Sequence, residues 1–484
     1  MRFWNWGHGL LKEKNQPDSS MVEPKMKVIL LVMDTLRADH LGCYGYHRET
    51  SPNLDRLAKE GALFERAYPS DVPTQPSFTS MFTGQRGIHT GIVSHSETES
   101  LAENVPCLTE ILDEHGVTTA AVSTLYMMRR WFARGFKYYM NPVAGIRRRL
   151  QQVDAEEING MALPWIEEHQ DEDFFIFVHY WDPHGLYLPP EPYRRLFYQA
   201  DESDPENRSL DVLRNQPVWP FTKKHLDAIG GEITDIEYVI AQYDGEIRYA
   251  DDNVGRLLQQ LEDSGILDET AIIFTSDHGE SLGEHHFYFD HHEVYETTAH
   301  VPLVIRYPQG VAVDKRIDQM VQSTICLAPT ILNLFGIKAP AAMTGKNLIR
   351  IANGEEKGYD EVYVNQGLWT AKRAIITRKW KLIRTFDKAF WETPDNELYD
   401  MEKDPSENAN LVEDKSDVID DLELKMDRWL RASLGKRIDP LELIVSRGLP
   451  VYEWVRRAAE RERYIKSYEE WRMRVDRGEK TLSS

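Results

Sequence analysis

Lys27-Val-Ile-Leu-Leu-Val-Met33, running into Asp34-Thr-Leu-Arg-Ala-Asp39, decides the fold. After Lys27 the run is wholly apolar, the pattern of a strand buried on both faces. It stops at an acid. The same change recurs where Phe174-Phe-Ile-Phe-Val-His179 meets Tyr180-Trp-Asp-Pro-His184, and where Thr270-Ala-Ile-Ile-Phe-Thr-Ser276 meets Asp277-His278-Gly279. Further strands are expected at 118–123 and 301–307. Helices are expected at 51–60, with Pro52 early and Gly61 behind, at 101–115 before Gly116, and at 235–264 before Gly265. This alternation predicts an α/β fold, a large mostly parallel sheet sandwiched by helices. Ligands of such sheets bind beyond the carboxyl ends of the strands, where Asp34, Asp182, His184, Asp277 and His278 are expected to collect.

Composition narrows the function. Of 484 residues, 57 are Lys or Arg and 79 are Asp or Glu, a net charge of −22 that disfavours a nucleic-acid polymer as partner. The 12 Trp, 22 Tyr and 17 Phe supply core material and exclude disorder as the main state. Cys43, Cys107 and Cys326 match no zinc spacing and no disulfide framework, and are expected to be buried thiols. Neither a signal-peptide core nor an apolar stretch of about 18 residues is visible, so a cytoplasmic protein without membrane contact is expected. Four regions are expected: a polar leader at 1–25 carrying Trp4 and Trp6, a large α/β domain at 26–350, a small C-terminal α+β subdomain at 351–415, and a helical extension at 416–484. That extension reads as a solvated cap or as an arm on a second copy of the chain in a homo-oligomer.

The chemistry gathers around Val72-Pro-Thr-Gln-Pro-Ser-Phe78. Pro76 suits a first helical turn and Gly84 ends the helix, placing Thr74 at the helix's positive end, as an N-cap or as a hydroxyl whose alkoxide is favoured there. Asp34, Asp277 and His278 are expected to converge on one divalent cation, with Thr74 as a further oxygen ligand. His184, His291 and His292 supply ligands for a second ion. Mn or Zn suits this mixed donor set best, with Ca or Mg as alternatives. Segment 285–292 holds His285, His286, His291 and His292, more than packing requires.

The order and spacing of several motifs resemble the sulfatase family of the alkaline phosphatase superfamily over residues 26–415. They are Asp34-Thr-Leu-Arg-Ala-Asp-His-Leu-Gly-Cys-Tyr-Gly-Tyr46, Ser51-Pro-Asn-Leu-Asp55, Pro73-Thr-Gln-Pro-Ser77, His179-Tyr-Trp-Asp-Pro-His184, Tyr243 to Asp252, Thr275-Ser-Asp-His-Gly-Glu280, Trp380-Lys-Leu382 and Glu397-Leu-Tyr-Asp400. The resemblance implies a metal-dependent ester hydrolase. Four positions depart from the family pattern. Thr74 occupies the position of the Cys or Ser that the family oxidises to formylglycine, and threonine cannot give that aldehyde. Phe78 stands where an Arg supports the nucleophile. Thr35 replaces a metal-binding Asp, and the region of an active-site Lys reads Asp290-His291-His292, with His291 and His292 equally placed to enter the site.

Threonine-nucleophile relatives in the superfamily act on phosphate esters. The expected reaction is cleavage of phosphate diesters, or of phosphonate or phosphate monoesters, by Thr74 through a phospho-threonine. A second metal or a protonated His184 would stabilise the leaving oxygen, with His184 or His291 as general acid. The alternatives are a sulfatase using unmodified Thr74 and a non-catalytic metal-binding assembly protein. The substrate is expected to be a small anionic phosphate or sulfate ester. Arg37 and His40 are weighed between anion contact and salt bridge, His89 between cleft and core, and Tyr180 and Trp181 between pocket wall and sheet packing. Residues 243–252 are read as architectural. Arg129, Arg130, Arg134 and 147–149 are read as solvated surface or as an anion contact.

Overall fold

The computed structural model describes residues 25–95, 99–143, 153–216, 218–457 and 460. Trp4, Trp6, most of the expected leader, 147–149 and the end of the helical extension lie outside the described residues.

The main sheet has eight strands: β1 (Lys27–Met33), β2 (Ala62–Tyr68), β4 (Thr118–Val122), β5 (Tyr138–Met140), β6 (Phe174–Tyr180), β7 (Thr270–Thr275), β10 (Leu303–Arg306) and β11 (Lys315–Gln322). Their order is β11-β2-β10-β7-β1-β6-β4-β5, and every pairing is parallel except those of β10. β1 is central and buried at all seven positions, as its uninterrupted apolar run requires. Its register fixes the site. Val32 pairs with Thr275 of β7, and Met33 pairs with Tyr180 of β6, so the residues that follow each strand emerge side by side.

A second sheet, β15-β14-β13-β12-β3, joins β3 (Asp71–Val72) to β12 (Glu361–Gly367), β13 (Ala371–Thr377), β14 (Trp380–Asp387) and β15 (Asn396–Asp400). β3 leads directly into the helix Thr74–Thr83, so the sheet built by the late residues anchors the helix that carries Thr74. Asp71 tightens this join by accepting from the Gly87 amide, the Ser70 hydroxyl and the Asn365 side-chain amide. A short hairpin of β8 (Ser281–Leu282) and β9 (Tyr288–Asp290) presents His291 and His292.

Several expectations need adjustment. The helix expected at 101–115 is confined to Leu108–Glu114, because Pro106 cannot donate and Cys107 is extended. The strand expected at 301–307 shortens to Leu303–Arg306 behind Pro302 and runs antiparallel. β2 and β11 were not anticipated, because polar residues interrupt their apolar pattern near the sheet edge. Cys43 is only half-buried, whereas Cys107 and Cys326 are buried. The helix read at 235–264 is Ile236–Asp263, with Asp235 capping the Glu237 amide.

That long helix pins β1's outgoing loop and the first helix, Pro52–Lys59. Its Tyr243 hydroxyl donates to the Thr35 carbonyl and accepts from the Arg37 amide. Its Asp251 accepts from the amides of Asn53 and Leu54 and from the Asn53 side chain. Asp251→Ala strands these donors and is expected to lower unfolding stability by about 2–3 kcal/mol, read from urea denaturation. An unchanged midpoint would contradict this anchoring role.

Candidate active site

Asp34, Asp277 and His278 are fully buried at the ends of β1 and β7 and bring one donor atom each within 4.8 Å of one another. The loop between them is held by backbone donors. The Thr35 amide donates to Asp277 Oδ1 at 3.2 Å and the Leu36 amide to Ser276 Oγ at 3.0 Å. Thr35 sits at φ 57°, an unusual left-handed state for a β-branched residue, sustained by these contacts and by Tyr243. Gly279 is required after His278, because a Cβ there would stand 2.1 Å from the Thr297 carbonyl.

The two carboxylates in this cluster are unevenly compensated. Burial, together with Asp277 and Glu280, pushes the Asp34 carboxyl well above the usual carboxylate range. Burial opposes ionisation of Asp277 too, but His278 and the Thr35 amide hold it below that range. Asp34 Oδ1 has no hydrogen-bond partner. Asp277 Oδ2 lies 3.1 Å from His278 Nε2 without hydrogen-bond geometry and is likewise unsatisfied. Such orphaned carboxylate oxygens beside an imidazole lone pair suit a divalent cation.

Thr74 is the first residue of its helix, not the cap before it; Pro73 holds the cap position and makes no side-chain bond. The Thr74 hydroxyl is buried 3.2 Å from His278 Nε2. His278 Nδ1 lies 3.0 Å from the Gly279 carbonyl, which assigns the proton to Nδ1 and leaves the Nε2 lone pair facing Thr74. Gly84, at φ 61°, ends the helix as expected.

The histidines divide. His291 stacks on His278 at 4.5 Å between centroids, and His184 stands 5.1 Å from His291. His291 Nδ1 meets Glu280 at 3.3 Å, the carboxylate partner that orients a ligand imidazole. His292 pairs with Asp290 at 2.8 Å and stacks on Trp369, with its Nδ1 unsatisfied. Asp290, His291 and His292 form a second group with three donor atoms within 4.8 Å of one another. The geometry thus separates two residues that the sequence left equivalent: His291 faces His278, and His292 borders it. His285 instead stacks on Tyr295 at 3.8 Å and His286 lies outside the buried core, so the dense histidine run serves two places.

Burial lowers His184 to about 4 and His291 well below the ordinary imidazole value. Both rings are therefore neutral at pH 7 in the free protein, in contrast to the protonated His184 expected from an unperturbed imidazole. His184 Nδ1 meets the Gly185 carbonyl at 2.8 Å, leaving Nε2 as an acceptor.

Three neighbours escaped the sequence reading. His179, buried and lowered to about 3 by burial, lies 3.3 Å from Asp34 Oδ2 and 3.1 Å from the Ser123 hydroxyl. His95 accepts from the Gln75 amide at 3.0 Å. Glu280 supports His291. His179 and Glu280 lay inside quoted motifs, whereas only the fold reveals His95. Phe78 packs edge-on against His179 at 4.9 Å and Phe177 at 5.8 Å, so the position beside Thr74 is apolar. Arg37 is a buried salt-bridge residue bound to Asp39 and Glu284, and His40 pairs with Asp244. Tyr180 bonds Asn159 within the core, whereas Trp181 lies 5.3 Å from His184. Arg134 is consumed by Glu110 and loop carbonyls.

A sulfatase family model matches residues 27–337, and a model of the C-terminal region of N-sulphoglucosamine sulphohydrolase matches residues 283–432. The chain belongs to the sulfatase family of ester-bond hydrolases. It is 23% identical to an N-acetylglucosamine-6-O-sulfatase of Bacteroides thetaiotaomicron, over 79% of this chain and 82% of that one. It is 26% identical to the multifunctional alkaline phosphatase superfamily protein PehA of Trinickia caryophylli, over 67% of this chain and 76% of that one. The phosphonate monoester hydrolase of Agrobacterium radiobacter superposes with TM-score 0.66 at 23% identity, covering 84% of this chain and 95% of that one. Among the described residues no helix is long and apolar enough to cross a membrane.

Removing one of the two facing carboxylates should relieve repulsion without metal and abolish the response to it. Asp34→Asn is expected to melt higher than the wild type in chelator and to lose the upward shift that Mn or Zn gives the wild type. A retained metal-dependent shift would contradict the assignment of Asp34 as a ligand.

Proposed function

We propose that this chain cleaves phosphate diesters, or phosphonate or phosphate monoesters, with Thr74 as nucleophile and a phospho-threonine as intermediate. The observation that carries the reading is the Thr74 hydroxyl, buried at the start of its helix and 3.2 Å from His278 in the Asp34–Asp277–His278 group. Likeness to the phosphonate monoester hydrolase fold and to PehA supports it.

Asp34, Asp277, His278 and Thr74 would hold one divalent cation, with Mn or Zn favoured by the imidazole in the donor set. His291, His292 and His184 offer donors for a second. A bound cation would lower the pKa of the Thr74 hydroxyl and polarise a non-bridging phosphoryl oxygen. The helix N-terminus adds favourable potential for an oxyanion at Thr74. Thr74 Oγ bonds to phosphorus as the ester P–O bond breaks. Its proton ends on the departing alkoxide, relayed by the neutral imidazoles of His184 and His291 where these hold no second cation. Water then adds across the Oγ–P bond, restoring the hydroxyl and releasing the phosphate.

The competing reading is a sulfuric ester hydrolase acting through unmodified Thr74, favoured by the sulfatases among its sequence relatives. Metal-loaded protein assayed on p-nitrophenyl esters separates the two. Thr74→Ala is expected to reduce phosphodiester or phenylphosphonate turnover at least ~1,000-fold, while Thr74→Ser keeps a measurable rate. Faster release of sulfate than of phosphate would favour the competing reading, and full activity in Thr74→Ala would overturn both.

A further inference from the structure

Beside the catalytic group, and sharing His184 with it, lies a cavity of about 680 Å³. Its floor is the end of β6 and one face of the helix Ile236–Asp263; its lip is the segment after His184. Five carboxylates line it against one guanidinium, that of Arg256, which is engaged by Glu156 at 3.3 Å.

Two of these acids are buried. Asp182 is 8% exposed and Glu246 is 5% exposed. Asp182 Oδ2 has no hydrogen-bond partner, although the carboxyl as a whole takes backbone amides of its own loop and of Ala155 and lies against that of Glu246. Glu246 Oε1 accepts from the Leu188 amide at 2.6 Å, which ties the lip to the helix. The rings of Tyr193 and Tyr249, 5.4 Å apart, add π-faces to the same cavity. Tyr193 is held by Asp252 at 2.7 Å.

We infer that this cavity binds a primary ammonium group on the alcohol portion of the ester, so that the substrate is zwitterionic. Buried acids facing one another favour a cation, and an orphaned acceptor calls for a donor that can supply N–H. Aromatic faces add cation–π attraction. A metal ion is the poorer occupant: among the described residues, the groups with three donor atoms within 4.8 Å lie at Asp34–Asp277–His278 and Asp290–His291–His292, not here. The volume also suits an organic group. The shared His184 places the cavity where the leaving alcohol would extend.

This inference rests on the ester-cleaving reading, so its test includes a binding measurement. Calorimetric titration of the Mn-loaded protein would compare ω-aminoalkylphosphonates of two to six methylenes with alkylphosphonates of matched length. None of these has an ester bond to cleave. At the best length the amine is expected to bind at least ~10-fold more tightly, and the ratio should fall toward one in Asp182→Asn and in Glu246→Gln, where the amide oxygen still accepts from Leu188. Equal affinities at every length would overturn the inference while p-nitrophenyl ester turnover left the catalytic reading standing. A preserved amine preference without any ester turnover would overturn the catalytic reading alone. Failure of every phosphonate to bind would overturn the inference, whatever the p-nitrophenyl result.

Discussion

Two carboxylates on adjacent strand ends, Asp34 and Asp277, govern the site. Parallel register between β1 and β7 delivers them together in a fully buried place, where like charges repel most strongly. Among the described residues no cationic side chain neutralises both. His278 offsets Asp277, the Thr35 amide offers one donor, and Asp34 Oδ1 is left unsatisfied. The strain is local and is retained because the surrounding core over-determines it: β1 is buried along its whole length, and Tyr243 clamps the loop that follows. A divalent cation at this point would supply the missing charge and recruit the nearest hydroxyl, that of Thr74.

The second sheet gives Thr74 its position. β3 adds to the edge of β12, and the chain turns from β3 straight into the helix that begins at Thr74. Thr74 is therefore located by one sheet and the acids by the other. The hairpin of β8 and β9 closes the arrangement by stacking His291 on His278. Phe78 makes the flank beside Thr74 apolar; under the proposed reaction, oxyanion stabilisation would fall to the helix terminus, the imidazoles and a bound cation.

The sequence exposed those parts of the fold in which local pattern and tertiary role agree. β1, β6 and β7 are apolar runs because both faces are covered, and the 28-residue helix carries its cap in Asp235 and its stop in Gly265. Edge strand β11 and its neighbour β2 escaped because partly exposed polar residues erase the pattern. Asp34, Thr74, Asp277, His278, His184, His291 and His292 do form one connected cluster, read from their positions after strands and beside a helix start. The protonation of His184 and His291 was not legible, because burial lowers both and only the fold sets burial. His95 was invisible for a similar reason, since its approach to Gln75 depends on a loop path that no local periodicity encodes.

The central claim is that Thr74 forms a covalent bond to phosphorus. A phosphorothioate diester of known configuration, cleaved by the metal-loaded protein in heavy-oxygen water, tests it without requiring the intermediate to accumulate. Two successive in-line displacements, first by Thr74 and then by water, predict overall retention of configuration at phosphorus. Inversion would mean that water attacks the substrate directly and would contradict the account.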